Sequence, residues 1–109
     1  MANTFKRKTL ANANTTLQAV YTAPSSTTTV VIGCTLSNIT SSNITASAYF
    51  VTGTGDDTYI VKDIPIPAGS AVEIMAGNKI VMEETDIIKV AGSATNSVDT
   101  TMSIMEITA

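Results

Sequence analysis

Two groups of carboxylates are the residues of this chain from which chemistry could be assembled. Asp56 and Asp57 form one group, and Glu83, Glu84 and Asp86 form the other, each in a predicted turn. Paired carboxylates can hydrolyse a glycosidic bond or bind calcium. Hydrolysis also needs a sugar cleft, usually lined with aromatic rings, and the chain has 2 Phe, 3 Tyr and no Trp. We therefore expect solvated turn charges, with calcium bridging as the alternative, and no enzyme.

Cysteine and phosphate chemistry are restricted by the residues available. The single cysteine, Cys34, cannot form a disulfide within the chain, and the absence of histidine removes the usual Cys–His pair and argues against zinc. Cys34 alternates with Val30, Ile32 and Leu36, which predicts that these four side chains point into the core. The GTGDD segment at 53–57 lacks the Lys-Ser/Thr pair and the helix of a phosphate loop, so a hairpin tip is predicted. No cofactor is expected.

Positive charge is concentrated at the N-terminus. Lys6, Arg7 and Lys8 are half of the 6 Lys and Arg residues, whereas all 9 acidic residues follow them. Three cations without interleaved aromatic residues are a weak sign of nucleic-acid binding, and an acidic remainder would repel phosphate. We predict that residues 1–13 form an extended basic arm, which either docks on an acidic partner surface or is a frayed terminus with solvated charges.

A second candidate docking segment consists of Ile64, Pro65, Ile66 and Pro67. Its two prolines remove two backbone donors, so the segment cannot belong to a central strand. We interpret it as a sheet edge or a crossing between sheets. Exposed isoleucines on such an edge would suit contact with a neighbouring subunit.

The elements that must position these residues are predicted to be strands. A chain of 109 residues is sufficient for one core, and its β-branched residues and short alternating segments favour an all-β domain. Eight strands are predicted, at residues 15–22, 28–39, 44–50, 58–63, 70–75, 79–82, 87–91 and 97–107. The second and third are expected to pair as a central hairpin. The predicted architecture is one antiparallel β-sandwich over residues 14–109, of jelly-roll or immunoglobulin-like type. Neither a membrane span nor a signal peptide is expected.

Three phrases carry a resemblance to a known class of proteins: YTAPSSTTTVVIGCTLSNIT, IPIPAGSAVEI and DIIKVAGSATNSVDTTMSIMEI. The chain resembles small β-sandwich proteins on the virions of tailed bacteriophages, which are capsid decoration or cement proteins, or neck, tail and fibre-attachment components. The resemblance implies a non-enzymatic virion protein made in the host cytoplasm. It implies contacts with the major capsid protein or with neck and tail proteins, and a homo-oligomer, with a trimer as the first expectation.

A binding module for a host glycan or protein is the competing interpretation. The basic arm, residues 64–67 and the Thr-rich faces favour the structural role, because a glycan-binding protein normally displays exposed aromatic residues. Tyr49 and Tyr59 provide the test between the two classes. If these rings lie exposed and side by side, the binding-module interpretation gains weight.

Overall fold

A computed structural model describes residues 2–75 and 77–108 of the chain. The strands in this part are β1 (Ala2–Ala13), β2 (Gln18–Thr22), β3 (Thr27–Asn38), β4 (Ile44–Val51), β5 (Thr58–Ile66), β6 (Ala71–Glu73), β7 (Ile80–Met82), β8 (Ile87–Gly92) and β9 (Val98–Thr108). Each of the eight predicted strands is present, as β2 to β9. Among the described residues, no helix is long and apolar enough to cross a membrane.

The strands form two antiparallel sheets that pack face to face. The five-stranded sheet has the order β1-β9-β3-β6, and β7 pairs with the other half of β3 on the same edge as β6. The four-stranded sheet has the order β2-β8-β4-β5. Buried side chains from both inner faces form one core, with Leu36, Met102 and Ile104 on the first sheet and Ile66 and Ile88 on the second. The predicted β-sandwich is confirmed.

Strand β3 changes its buried face halfway along. Its pairing with β9 is regular as far as Val31 and resumes one residue late, which leaves Ile32 in a β-bulge. Val31 is fully buried before the bulge, and Cys34 and Leu36 are fully buried after it, whereas Ile32 is exposed. The predicted inward face is therefore correct for Cys34 and Leu36 and wrong for Val30 and Ile32.

The carboxylate of Glu73, on β6, accepts hydrogen bonds from the strand at the bulge. Its Oε1 and Oε2 atoms lie 3.0 and 3.1 Å from the Cys34 backbone nitrogen, whose N–H donates to them. The Thr35 hydroxyl donates to the same carboxylate. The irregular backbone is therefore satisfied by a side chain, as a partly buried N–H group requires.

The predicted central hairpin is wrong, because β3 and β4 lie in different sheets. Residues 39–43 cross between the sheets, and the buried Asn38 side chain holds the crossing. Its Nδ2 atom donates to the carbonyl oxygens of Ser42, at 2.8 Å, and Ile66, at 2.9 Å. Alternation along a strand determines which face is buried but carries no information about the neighbouring strand.

The N-terminal segment is extended, as expected. It is nevertheless an edge strand of the sandwich, which was predicted to include only residues 14–109. β1 pairs with β9 from Ala2 opposite Thr108 to Ala13 opposite Val98. Ala13 is fully buried in the core. The segment lacks apolar alternation because its inner face carries lysines, and a strand without that alternation is difficult to recognise from sequence.

Candidate functional site

The predicted basic cluster is divided between the two faces of β1. On the inner face, Lys6 Nζ lies 2.8 Å from Glu106 Oε1 of β9. Lys8 Nζ, also on this face, lies 5.8 Å from the centre of the Tyr21 ring. Two of the three cations thus contact residues of their own chain. This arrangement differs from the solvated or partner-docking arm expected for all three.

A buried polar network connects these lysines to both sheets. Tyr21 on β2 shares a hydrogen bond of 2.8 Å with Thr29 on β3 and donates another to Glu106 on β9. Burial, and then the hydrogen bond with Glu106, raises the pKa of Tyr21 to about 12. Hydrogen bonds from Lys6 and then Tyr21 lower the pKa of Glu106. The network therefore holds a carboxylate anion between the sheets and ties β1 to its neighbours.

The outer face of β1 presents a different surface. Phe5 is 74% exposed, and Arg7 is exposed two residues further along the same face. Residues 5–9 line a shallow, open depression along the strand. β1 is at the end of its sheet and pairs with β9 on one side. The sandwich therefore has an accessible strand with an exposed aromatic residue and a cation.

Residues 64–66 are the end of β5, and Pro67 begins the turn after it. β5 is an edge strand of the four-stranded sheet, which confirms the edge interpretation. Ile66 is 1% exposed and Ile64 packs against the core, whereas Pro65 and Pro67 are exposed. The prediction of exposed isoleucines is wrong, because the inner face of an edge strand is still covered by the opposite sheet. Docking through the two prolines stays a prediction.

The carboxylate groups of the turns have separate structural contacts. Asp86 is buried, and its two oxygens accept the backbone N–H groups of Gly53 at 3.3 Å and Glu83 at 2.9 Å. Asp57 is exposed and accepts the N–H of Thr52 at 2.9 Å. No group of three or more Cys, Asp or Glu side chains suited to a metal ion occurs in residues 2–75 and 77–108. Asp86 is thus a turn-stabilising residue, contrary to the expected solvated charge.

Cys34 is fully buried, as predicted. Burial, followed by the negative charge of Glu73, raises the pKa of its thiol to about 12. A thiol in this environment stays protonated at neutral pH, and the protonated form is a poor nucleophile.

Tyr49 and Tyr59, the test between a structural protein and a binding module, are in contact on the outer face of the four-stranded sheet. Their ring centres lie 4.7 Å apart with an interplanar angle of 61°, which is an edge-to-face arrangement. Tyr59 is 46% exposed and Tyr49 is half-buried. Lys62 Nζ lies 5.3 Å from the centre of the Tyr59 ring. The rings lie side by side, and Tyr59 provides the exposed aromatic surface.

Tyr59 is one of the residues that line a groove of about 200 Å³. Ser47 of β4 lies opposite both Lys62 and Asp63 of β5, so β5 has a bulge at this point. Asp63 adopts a left-handed conformation, with φ of 49°. In a regular strand, consecutive side chains point to opposite faces. Here both Lys62 and Asp63 line the groove, together with Ser47 and hydroxyl groups from β4 and the loop after β8.

Sequence reasoning did not find this groove. The available signal was the pair Lys62 and Asp63, two successive polar residues between Val61 and Ile64 that interrupt the alternation of β5. Such an interruption in a strand is compatible with a bulge. The contact between the tyrosines depends on the pairing of β4 with β5, in which Tyr49 lies opposite Tyr59.

No protein-family model matches the sequence, and a comparison with curated proteins finds no significant match. Among solved structures, the chain is similar to one from the Bacillus endospore appendages, a family of disulfide-linked pili, with a TM-score of 0.55 and 16% identity over 100% of this chain and 93% of that one. A chain of infectious bursal disease virus, Gx strain, gives a TM-score of 0.43 and 10% identity over 99% of this chain and 32% of that one. The likeness to the pilus protein supports the fold of two packed β-sheets.

Proposed function

We propose that this chain is a non-enzymatic structural subunit of a bacteriophage virion. In this proposal it is a capsid decoration or cement protein that binds the major capsid protein in many copies and associates with copies of itself. The resemblance of three residue phrases to small virion sandwich proteins supports this assignment. A likeness in fold to a subunit of an assembled pilus agrees with self-association. Attachment to the neck or tail is the alternative, and it differs in copy number.

The free edge of β1 is the observation that carries the proposal. β1 has 12 residues and is therefore roughly 40 Å long at the usual rise of a strand. Sheet edges on proteins that remain separate are generally short, bulged or blocked, because an open edge recruits other strands. β1 is irregular only between Leu10 and Ala13; from Ala2 to Leu10 it pairs regularly with β9, and this part carries Phe5, 74% exposed, beside Arg7. A partner that covers this strand would bury the ring and pair with the open backbone groups.

The inner contacts of β1 prepare it for this role. Lys6, between Phe5 and Arg7, is held by Glu106, and Ala13 at the C-terminal end of the strand is packed in the core, so the strand is fixed at these two points. A fixed strand loses less conformational entropy on binding than a flexible arm does. The contact surface in this proposal consists of Phe5, Arg7 and the outer edge of β1.

Binding to particles tests the proposal. The purified chain is characterised by light scattering and then sedimented with virions that lack it. We expect a defined oligomer that rebinds in many copies, whereas rebinding in a few copies would support the neck or tail alternative. A wild-type chain that does not bind particles would refute the virion assignment.

Phe5→Ala tests the contact strand separately. We expect this variant to melt like the wild type, because the ring is in solvent, but to bind particles more weakly. Tyr59→Ala is the matched control, since it removes an exposed ring from the other sheet. Equal binding by Phe5→Ala and wild type would show that β1 is not the contact.

A further inference from the structure

We propose that the outer face of the four-stranded sheet contains a saccharide-binding groove in which Tyr59, Lys62, Asp63 and Ser47 contact one sugar ring. This inference goes beyond the structural role and does not depend on it. The groove lies on the opposite sheet from β1, so one subunit could attach to a particle through β1 and present the groove outward.

The exposed ring of Tyr59 supplies the apolar part of the site. Tyr49 contacts Tyr59 edge to face at 4.7 Å, which restricts the orientation of the exposed ring. An aromatic face has a negative potential that attracts positively polarised hydrogens. The axial C–H groups on one side of a pyranose have this polarity. A ring already held in place loses little entropy when a sugar packs against it.

The polar groups around Tyr59 supply both donors and acceptors. The Lys62 ammonium can only donate hydrogen bonds, the Asp63 carboxylate can only accept them, and the Ser47 hydroxyl, which donates its one hydrogen to Asp63, has a lone pair left to accept one. A sugar hydroxyl needs this mixture, because each one donates and accepts. Lys62 and Asp63 also carry opposite charges, so the pair does not require a charged ligand. The chemistry therefore fits a neutral saccharide.

The bulge in β5 is what brings these groups together. A regular strand would place one of Lys62 and Asp63 on the inner face, but the bulge allows both to line the groove. Asp63 holds a φ of 49°, and its N–H donates to Ser47 Oγ at 2.9 Å. Ser47 in turn donates to Asp63 Oδ1 at 3.3 Å. The two side chains are thus positioned before any ligand arrives.

The size of the groove sets the class of ligand. A volume of about 200 Å³ is below the usual range for drug-sized ligands but is suitable for one sugar ring. We therefore expect weak binding, in the millimolar range, by each subunit. In an assembly of many copies, such weak sites would act together, because linked sites bind a multivalent surface far more tightly than one site does.

The test is an NMR titration of the isotope-labelled full chain. The probes are methyl pyranosides of glucose, galactose, mannose and N-acetylglucosamine, each at millimolar concentration. We expect at least one of them to cause saturable shifts of backbone amides in β4, β5 and the end of β8. If none of the four causes saturable shifts there, the proposal is overturned.

Two variants and one control assign the site. Tyr59→Ala should weaken binding roughly threefold to tenfold, as expected for loss of one aromatic contact. Asp63→Asn should also weaken it and should remain folded, because Asn tolerates the left-handed conformation. Phe5→Ala removes a more exposed ring outside the groove and should bind the sugar normally. Shifts that persist unchanged in Tyr59→Ala would refute the site.

The same variants separate this proposal from the virion assignment. If Tyr59→Ala reduces binding to particles while no sugar shifts the groove, the face contacts a protein and the saccharide proposal is wrong. If Phe5→Ala alone reduces particle binding and Tyr59→Ala alone reduces sugar binding, both proposals are supported. Sugar binding by a chain that ignores particles would support the groove and refute the structural role.

Discussion

Tyr21→Phe removes one oxygen from the buried network and leaves the ring in place. The hydroxyl contacts Thr29, which is 0% exposed, and Glu106, which is 5% exposed, so water has little access to replace it. A hydrogen bond to a charged group contributes ~1.5–3 kcal/mol, so we expect unfolding free energy to fall by about 2 kcal/mol. With an unfolding entropy of ~2.1 cal/mol/K per residue, this 109-residue chain should melt about 9 °C lower.

Thermal unfolding followed by circular dichroism at neutral pH measures this change. Tyr59→Phe is the matched control, because it removes the same atom from a ring that is 46% exposed. Surface changes of this kind usually alter stability by less than about 0.5 kcal/mol, so the control should melt within roughly 2 °C of the wild type. If Tyr21→Phe melts as close to the wild type as the control does, the network does not stabilise the sandwich and the reasoning fails.

The remaining predictions use the same unfolding measurements or a labelling assay. Hydrogen bonds from a lysine and a tyrosine lower the pKa of Glu106, so the unfolding free energy of the wild type should fall as pH drops below the ordinary carboxyl pKa of about 4.3. Glu106→Gln should lose less unfolding free energy over the same pH range, and equal losses by the two proteins would contradict this. Gly92→Ala would place a Cβ 2.2 Å from the Ser97 hydroxyl and should lower the unfolding free energy by ~1–3 kcal/mol. Gly33→Ala, whose nearest contact is at 3.5 Å, should change it little, and equal stabilities of the two variants would contradict this reasoning. Burial and a nearby carboxylate raise the Cys34 pKa to about 12, so iodoacetamide should label this thiol only after urea unfolding, and rapid native labelling would argue against burial.

Local sequence patterns predicted which segments are strands but not how they pair. β9 was predicted with its inner face correct, because Val98, Met102 and Ile104 alternate without interruption. β3 and β4 were predicted as a hairpin, but β3 pairs with β9, which lies far away in the chain, and on its other side with β6 and β7. Pairing at long range depends on the packing of the whole core, and alternation within one strand does not describe it.

Bulges account for the errors within strands. In β3, the single residue Ile32 shifts the buried face from odd to even positions. Gly33 beside it was the available signal, since an isolated glycine in a strand often marks a bulge. In β5, Lys62 and Asp63 gave a similar signal through two consecutive polar residues. The candidate groove could therefore be suspected from sequence, but its partner residues on β4 could not.

Because β9 pairs with both β1 and β3, the order of synthesis has a consequence for folding. The ribosome synthesises β9 after the other eight strands, so β1 and β3 are made before the strand that pairs with both of them. Contacts between residues so distant in the chain slow folding, and strands that remain unpaired are prone to aggregation. A nascent chain arrested before residue 98 should therefore remain sensitive to protease, and protection should appear only once β9 has left the exit tunnel.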